Sequence, residues 1–258
     1  AGDVNGDGLA DLIIGASGAD PNGVNGAGET YLVYGGGMPP AIVGLGAASV
    51  RFEGTGGESG RALGAAGDVN GDGYADLVVG AYAAWPNGVF EAGESYLVLG
   101  GPALPPVVSL ANADVRFQGI DESDRSGISV SGAGDVNGDG LSDLLVGAYW
   151  ADSVAAFGGP FAEGQAYLVL GSDALPAVLS LVDADVRFDG VAPAVGAAGC
   201  IAICSRSDSL ETRYRSAFFF RQRSNALFNS FGSVFAIRLD SRASRSIESV
   251  NSRCTVAK

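Results

Sequence analysis

One nine-residue phrase occurs three times in this chain and constrains its fold more than any other feature. The phrase reads Asp-Val-Asn-Gly-Asp-Gly-x-x-Asp, and its copies begin at Asp3, Asp68 and Asp135, 65 and then 67 residues apart. Tyr-Leu-Val and Val-Arg-Phe also recur once in each unit. A fixed period of this length is typical of repeat architectures, in which each repeat is one supersecondary unit. The sequence therefore predicts three successive copies of one structural unit.

Each copy of the phrase carries oxygen-bearing side chains at its first, third, fifth and ninth positions. Such alternation lets a short loop surround a hard cation, and Ca²⁺ takes roughly 6–8 oxygen ligands. The glycine at the sixth position permits a sharp turn because it has no Cβ. The alternative is a metal-free Asn-Gly or Asp-Gly turn. We predict about three bound Ca²⁺ ions, with these side-chain ligands: Asp3, Asn5, Asp7 and Asp11; Asp68, Asn70, Asp72 and Asp76; Asp135, Asn137, Asp139 and Asp143.

Each unit also offers four candidate strands. The second, immediately after the phrase, is a continuous apolar run such as residues 77–81, and this pattern indicates a strand buried on both faces. Prolines punctuate the link between the third and fourth candidates. Four short strands in about 65 residues describe one blade of a β-propeller. The candidates are residues 61–66 and 127–131; 12–16, 77–81 and 144–148; 29–34, 94–99 and 165–170; and Val-Arg-Phe at Val50, Val115 and Val186.

Two other families with similar calcium loops are excluded by the residues on the C-terminal side of the phrase. An EF-hand needs a bidentate Glu at loop position 12 between two helices. That position is Ile14, Val79 and Val146 here, inside a predicted strand. A dockerin-like module needs a helix after the loop and closely paired copies, and this chain has neither pattern.

The segment Gly-Ala-Gly-Asp-Val-Asn-Gly-Asp-Gly-Leu-Ser-Asp-Leu-Leu-Val-Gly-Ala at 132–148 resembles the FG-GAP repeat of integrin α-subunit propellers and related microbial surface proteins. Like segments lie at 66–81 and 2–16, and the resemblance covers residues 1 to about 199. It implies that the calcium loop joins the first two strands of a blade. It also implies one backbone carbonyl ligand in each loop, at the seventh position: Leu9, Tyr74 and Leu141.

The chain departs from the family at the Phe-Gly pair, which is replaced by Ser59-Gly60 and Ser126-Gly127. The missing Phe affects the packing expected between blades rather than the calcium ligands. Propellers typically have about 4–8 blades. We therefore expect an all-β fold that is an incomplete propeller of about three four-stranded blades, with the remaining blades in a larger parent protein.

The repeat breaks at Cys200, which stands where a fourth copy of the phrase would begin. Residues 1–190 hold 5 basic and 25 acidic side chains, whereas residues 191–258 hold 10 and 4. We interpret 1–199 as propeller repeats and 200–258 as an atypical basic Ser/Arg/Phe-rich tail, frame-shifted or otherwise aberrant, or disordered. The alternative is a genuine basic extension that is helical around residues 210–220.

Composition excludes several classes of function. The net charge of −14 argues against nucleic acid as a partner. The chain has no His, so it cannot form a His-based triad. No apolar run approaches the roughly 18 residues of a membrane span. Glu29 and Glu94 recur, but the third copy has Gln165, so paired-carboxylate catalysis is not supported. We expect no enzymatic activity.

Two other groups of residues have two interpretations each, and a charged turn has one. Arg51, Arg116 and Arg187 form ion pairs within or between blades, or bind an anionic ligand. The charged turn at 121–125 is most simply solvated. Four aromatic residues after the second strands form either a ligand surface or packing between blades: Tyr82, Trp85, Tyr149 and Trp150.

By its resemblance, the chain is expected to be a non-catalytic, calcium-binding propeller segment for cell adhesion or protein–protein recognition, with a protein or glycan ligand. Weak calcium sites suit the millimolar Ca²⁺ outside cells, so we expect a secreted or cell-surface location. The alternative is an accessory propeller or carbohydrate-binding module of a secreted enzyme. Fold alone does not decide between them.

Overall fold

The computed structural model describes residues 1–36, 42–151 and 164–190, together with the backbone of two strands at 200–203 and 218–221. This part of the chain is all-β and contains no α-helix. Its strands are β1 Leu12–Ala16, β2 Glu29–Val33, β3 Val50–Glu53, β4 Ala62–Gly67, β5 Asp76–Ala81, β6 Glu94–Val98, β7 Val107–Ser109, β8 Val115–Gln118, β9 Ser126–Gly134, β10 Asp143–Ala148, β11 Gln165–Val169, β12 Val178–Ser180, β13 Val186–Asp189, β14 Cys200–Ile203 and β15 Phe218–Arg221.

Short 3₁₀ turns occupy corresponding positions in the repeats. They are Pro21–Gly23, Leu45–Ala47, Pro86–Gly88, Leu110–Asn112 and Leu181–Asp183. All the strands that the sequence predicts in each unit are present at the predicted positions. Within the described ranges, no helix is long and apolar enough to cross a membrane.

Strands β1–β13 form three open sheets, one for each unit. Their orders are β1-β2-β3-β7, β4-β5-β6-β8-β12 and β9-β10-β11-β13. Successive strands of one unit pair antiparallel, as in Leu77↔Val98 and Leu97↔Val115. We call β1–β3 blade 1, β4–β6 with β8 blade 2, and β9–β11 with β13 blade 3. They do not close into a ring, so the fold is an incomplete propeller, as the sequence predicts.

Two further strands lie in the proline-punctuated links, for which the sequence predicts no strand. Each of these strands, β7 and β12, pairs in parallel with the outer strand of the preceding blade, so β7 extends β3 and β12 extends β8. Adjacent blades are therefore joined by hydrogen bonds as well as by side-chain packing.

The core lies between the blades rather than within them. One buried cluster joins Leu32 and Phe52 of blade 1 to Leu77 and Val79 of blade 2. A second buried cluster, which includes Val78, packs the other face of blade 2 against blade 3. Strand β5 is therefore buried on both faces, which its continuous apolar run predicts.

Glycines allow the blades to approach closely. A Cβ built on Gly80 of blade 2 would lie 2.0 Å from the carbonyl oxygen of Gly127 in blade 3. The corresponding Gly15 of blade 1 would meet the carbonyl oxygen of Gly60 at 1.9 Å. No side chain fits in either gap, so glycine at these two positions is a packing requirement.

The described part of the tail consists of two short strands, not of the helix that one interpretation expected. β14 and β15 pair antiparallel with each other, in the register Cys200↔Arg221. The helical alternative is therefore wrong for residues 218–220, which belong to a strand. Residues 204–217 and 222–258 lie outside the described residues. The interpretation of 200–258 as an aberrant sequence remains a prediction.

Candidate metal centres

The three repeated phrases form three loops of the same conformation. In blades 2 and 3 the loop connects the first strand to the second, β4 to β5 and β9 to β10. In blade 1 the loop leads into β1, and an isolated bridge pairs Gly2 with Asp11 across its base. The sixth-position glycines have φ of +87° to +94°, the left-handed region that favours glycine.

The first aspartate of each loop organises the backbone. In the second loop, the Asp68 carboxylate accepts hydrogen bonds from the backbone N–H groups of Gly71 (2.7 Å), Asp72 (3.1 Å) and Gly73 (2.9 Å). Asp3 and Asp135 accept the same three bonds in their own loops. This pattern wraps the chain around one carboxylate.

The third and fifth residues face each other at the exposed side of the loop. The Asn70 side-chain amide donates to Asp72 Oδ2 at 2.8 Å, and Asn70 Oδ1 accepts the Asp72 N–H at 3.1 Å. The same pair forms in the other two loops. In the third loop, the Leu141 N–H and then the Asn137 side chain lower the pKa of Asp139, so its charged form is favoured.

The ninth residue is buried and ties the loop to the rest of the blade. Asp76 accepts from the Val69 N–H and from the Gly100 N–H, both at 2.8 Å. Asp11 and Asp143 make equivalent bonds. Each carboxylate therefore connects its loop to the segment directly after the third strand of the same blade.

Burial is the main influence on the ionisation of this ninth residue. It raises the pKa of Asp76 to about 6, against the opposing effect of the Gly100 and Val69 N–H bonds. The nearby Asp72 and Asp68 carboxylates raise the pKa further. The pKa of Asp143 is raised for the same reasons. None of the ion pairs in the described part of the chain involves Asp76 or Asp143.

The donor chemistry of the loops fits a hard cation. Each loop carries three carboxylates and one amide oxygen within nine residues, and a carboxylate oxygen that accepts one N–H bond retains lone pairs for a metal. In the ranges that the structure describes, however, no three acidic or cysteine side chains converge into a preformed metal cluster. The ligand roles of the loop residues, including the Leu9, Tyr74 and Leu141 carbonyls, therefore remain predictions.

The charged turn before blade 3 is not merely solvated, so that expectation is wrong for Arg125. Its guanidinium donates to Glu91 and to the Tyr149 hydroxyl, both at 2.8 Å. It also lies 5.9 Å from the Tyr82 ring and 5.7 Å from the Trp150 ring. Arg125 therefore links blades 2 and 3, a role that sequence spacing does not reveal.

Of the four aromatic residues after the second strands, two pack between blades and two are exposed. Tyr82 contacts Glu58 and Arg61 of the link between blades, and Tyr149 contacts Arg125, so both contribute to packing between blades. Trp85 and Trp150 are each more than half exposed. Trp85 pairs with Phe90, with ring centroids 4.8 Å apart, at the edge of a cavity of about 360 Å³ between blades 1 and 2.

Two of the three recurring arginines, and the residues at the Glu29 position of each unit, have structural partners. Arg51 forms ion pairs with Glu53 at 2.5 Å and Glu29 at 3.7 Å. Arg187 pairs with Asp189 at 2.9 Å, so the prediction of ion pairs within blades is confirmed for these two arginines. The Glu29, Glu94 and Gln165 side chains accept hydrogen bonds from the hydroxyls of the Tyr-Leu-Val tyrosines.

Comparison with known proteins identifies the repeat. A family model described as the FG-GAP repeat matches residues 1–33, 59–98 and 126–169. The chain carries three FG-GAP repeats. Each match includes one loop and the two strands that follow it, and the second and third matches also include the strand before the loop. The family resemblance seen in the loop and its adjoining strand is thereby confirmed.

Several curated proteins are similar to this chain. It is 37% identical to Integrin alpha-PS2 of Drosophila melanogaster over 163 residues, which are 60% of this chain and 11% of that protein. It is 34% identical to Integrin alpha-IIb of Homo sapiens over 191 residues, 70% of this chain and 17% of that protein. It is 40% identical to Phosphatidylinositol-glycan-specific phospholipase D of Mus musculus over 82 residues, 31% and 10% respectively. The chain thus spans less than a fifth of each of these relatives.

Proposed function

We propose that this chain is a non-catalytic propeller segment whose FG-GAP loops bind Ca²⁺ and whose surface serves adhesion or protein–protein recognition outside the cell. The observation that carries the proposal is the buried ninth aspartate, which recurs in three loops beside two further carboxylates. The FG-GAP match and the similarity to integrin alpha chains support the adhesion role.

The loops have an electrostatic reason to bind a cation. A buried carboxylate is unfavourable unless it is paired with a cation or coordinates a metal. Asp76 is fully buried, and Asp68 and Asp72 add negative charge in the same loop. One Ca²⁺ in each loop would offset this repulsion. The residues that would hold the three ions are Asp3, Asn5, Asp7, Leu9 and Asp11; Asp68, Asn70, Asp72, Tyr74 and Asp76; Asp135, Asn137, Asp139, Leu141 and Asp143.

The consequence of binding would be a stiffer blade. The ninth aspartate bonds at once to the loop and to the segment after the third strand. Fixing this carboxylate therefore fixes the first three strands of a blade relative to one another. Binding that occurs only in the folded state adds stability, about 2.7 kcal/mol for each site at a hundredfold excess over Kd.

Thermal unfolding with and without calcium tests this proposal. Addition of EDTA to the calcium-loaded chain should lower Tm, and added Ca²⁺ should restore it. Asp72→Asn should reduce the calcium-dependent shift, whereas Asp183→Asn, an exposed acid outside the loops, should leave it unchanged. A Tm that is the same in calcium and in EDTA would contradict a structural role for the metal.

A recognition surface is supported by the exposed aromatic residues. Trp85, Thr55 and Glu94 line the cavity between blades 1 and 2, so an exposed aromatic ring lies beside polar groups there. A protein or glycan ligand would fit this chemistry. Trp85→Ala should weaken binding to a cell-surface extract or glycan array without lowering Tm, while Val24→Ala, at a different exposed loop, should have no effect.

A second function is favoured by one comparison. Similarity to Phosphatidylinositol-glycan-specific phospholipase D suggests an accessory propeller attached to a secreted enzyme, or a carbohydrate-binding module. The full reading frame of the parent gene distinguishes the two. A catalytic domain beside the repeats would favour the accessory role, whereas a membrane anchor or further adhesion repeats would favour the first proposal.

A further inference from the structure

A cavity of about 360 Å³ opens at the junction between blades 1 and 2. Three segments line it: Thr55–Gly57 in the link after β3, Ala83–Trp85 after β5, and Glu94 at the start of β6. We call it the junction cavity. Its walls come from both blades, so the cavity exists only when the two blades are packed together.

One wall of the junction cavity is backbone. Gly57 has φ of +78°, and a Cβ built on it would lie 2.3 Å from the backbone nitrogen of Ala84. The Gly57 carbonyl accepts a hydrogen bond from the Ala83 N–H at 3.2 Å. A Cβ on Gly56 would meet nothing within 4 Å. This wall is therefore fixed by close backbone packing, and its glycines leave the space beside them open.

The corresponding position at the second junction carries a side chain. The Asp124 carbonyl accepts from the Trp150 N–H at 3.3 Å, as the Gly57 carbonyl accepts from the Ala83 N–H. Asp124 is 6% exposed, so its side chain is buried where Gly57 has none. The space beside Gly57 is thus open at the first junction, whereas a buried carboxylate stands at the second.

The floor of the junction cavity is a network of polar side chains. Glu94 is 7% exposed, and its two carboxylate oxygens accept from the Tyr96 hydroxyl at 2.8 Å and from the Gln118 side-chain amide at 3.2 Å. Gln118 in turn accepts from the Asn87 side-chain amide at 2.9 Å. The Thr55 hydroxyl interacts with the Tyr96 hydroxyl. Since each carboxylate oxygen has two lone pairs, Glu94 keeps acceptor capacity for a ligand, and a threonine hydroxyl both donates and accepts.

An exposed indole ring stands beside this floor. Trp85 lines the cavity and is 59% exposed. Phe90 packs against it, with ring centroids 4.8 Å apart and an interplanar angle of 56°, which restricts the orientation of the indole. Tryptophan is enriched in binding sites because it supplies a large and rigid contact area. The junction cavity therefore combines an aromatic ring with hydrogen-bonding groups in fixed positions.

We propose that the junction cavity binds one neutral pyranose unit of a glycan. A pyranose has an apolar face of C–H groups, which matches the Trp85 ring, and a rim of hydroxyls that both donate and accept. Those hydroxyls would donate to Glu94 and exchange hydrogen bonds with Thr55. Both Glu94 oxygens already accept from neutral donors, so the carboxylate does not require a cationic ligand.

Charge narrows the class of sugar. A carboxylate in the cavity repels a second carboxylate, and the net charge of −14 adds to that repulsion. Neutral hexoses are therefore favoured over uronic acids and other acidic sugars. This inference rests on the recognition role proposed above and specifies its ligand.

Fluorescence of a chain with one tryptophan tests the proposal. The sequence contains two tryptophans, so Trp150→Phe leaves Trp85 as the only indole. In calcium-containing buffer, at least one of the methyl glycosides of glucose, galactose and mannose should shift the Trp85 emission in a saturable way. The corresponding uronate, which has a carboxylate at C6, should bind about tenfold more weakly or worse because like charges meet.

Calorimetry with the glycoside that binds best then locates the site. Trp85→Ala should raise Kd about tenfold or more, as removal of a central aromatic residue does. Trp150→Ala is the matched control, since it removes another exposed indole outside the cavity and should leave Kd unchanged. Thr55→Val should raise Kd about three- to tenfold, because it removes a hydroxyl and keeps the shape. Circular dichroism and Tm equal to those of the wild type confirm that the variants fold.

Several results would overturn the proposal. One is an unchanged Trp85 emission with every glycoside up to about 10 mM. Others are equal losses of affinity in Trp85→Ala and Trp150→Ala, or uronates that bind as tightly as the hexosides. An arginine-rich peptide that binds at Trp85 where no glycoside does would assign the cavity to a protein ligand. That outcome would overturn the glycan but leave the recognition role standing, and the calcium-dependent shift in Tm is measured independently of both.

Discussion

Strands β1 and β5 have nearly the same sequence and opposite surroundings. β1 reads Leu-Ile-Ile-Gly-Ala and β5 carries Leu-Val-Val-Gly-Ala after its aspartate. Leu77 of β5 is 0% exposed, because it faces blade 1 across the first core cluster. Leu12, its counterpart in β1, is 61% exposed. The apolar pattern thus determines that a strand forms, whereas its burial depends on a neighbouring blade.

The largest expected difference between the two strands concerns these leucines. Leu77→Ala should destabilise the chain by about 2–5 kcal/mol, because it leaves a cavity between blades 1 and 2. Leu12→Ala should cost less than about 0.5 kcal/mol, as for other exposed positions. Urea unfolding of both variants measures the difference. Equal costs would show that β1 is buried in solution, for example by association.

The next effect concerns close approach of the backbones. Gly80→Ala should cost about 1–3 kcal/mol, because its Cβ would collide with the Gly127 carbonyl oxygen and force the blades apart. Gly101→Ala is the matched control, since a Cβ there meets nothing within 4 Å. The two variants are compared by Tm. A Gly80→Ala chain as stable as the control would mean that blades 2 and 3 pack less closely than described.

The pH dependence of the calcium-free chain tests the buried aspartate. The folded-state pKa of Asp76 is raised to about 6, above its ordinary value of 3.8. The protonated form is therefore favoured by folding, and this stability is fully present below pH 3.8 and lost as the pH rises through 6. In EDTA, we expect a loss on the order of 1–2 kcal/mol across this window, at about 1.36 kcal/mol per pKa unit reduced for partial solvation.

Asp76→Asn should flatten this pH profile, since an amide does not titrate there. Asp183→Asn, outside the loops, should retain it. Stability is measured by urea unfolding at a series of pH values in EDTA. A wild-type stability that increases across this window, with an amplitude that depends on Asp76, would contradict the described burial of this carboxylate.

The smallest effect separates a junction arginine from a surface arginine. Arg125→Ala should cost about 1–2 kcal/mol, because it removes hydrogen bonds between blades 2 and 3 that involve charged groups. Arg61→Ala should cost about 0–1 kcal/mol, because its ion pair with Glu58 is exposed. A double variant Arg125→Ala/Tyr149→Phe that costs no more than Arg125→Ala alone would support the shared contact.

Much of the fold can be predicted from local patterns in the sequence. The loops, the apolar strands after them and the Val-Arg-Phe strands all carry short-range signals, and the structure places them as predicted. The strands β7 and β12 in the proline-punctuated links carry no such signal. Each is three residues long and is stabilised by pairing with a strand more than fifty residues earlier in the chain. Such pairing depends on the arrangement of the blades, which local propensity does not encode.

The residues of the candidate metal loops can be predicted from the sequence, whereas their contacts with the rest of the blade cannot. Alternating oxygens in a nine-residue phrase indicate the loop residues directly. The second role of Asp76, which bonds to Gly100 of the same blade, could not be read from the phrase, because it depends on how β5 and β6 align. The contact between Arg125 and Glu91 is likewise a product of packing between blades rather than of sequence spacing.

Isothermal titration of the calcium-free chain with Ca²⁺ tests the assignment of calcium to the FG-GAP loops most directly. We predict binding of three ions per chain, one for each loop, and two ions after Asp72→Asn. The Asp183→Asn control should still bind three. An absence of binding at millimolar Ca²⁺, or a stoichiometry of three that Asp72→Asn leaves unchanged, would contradict this assignment.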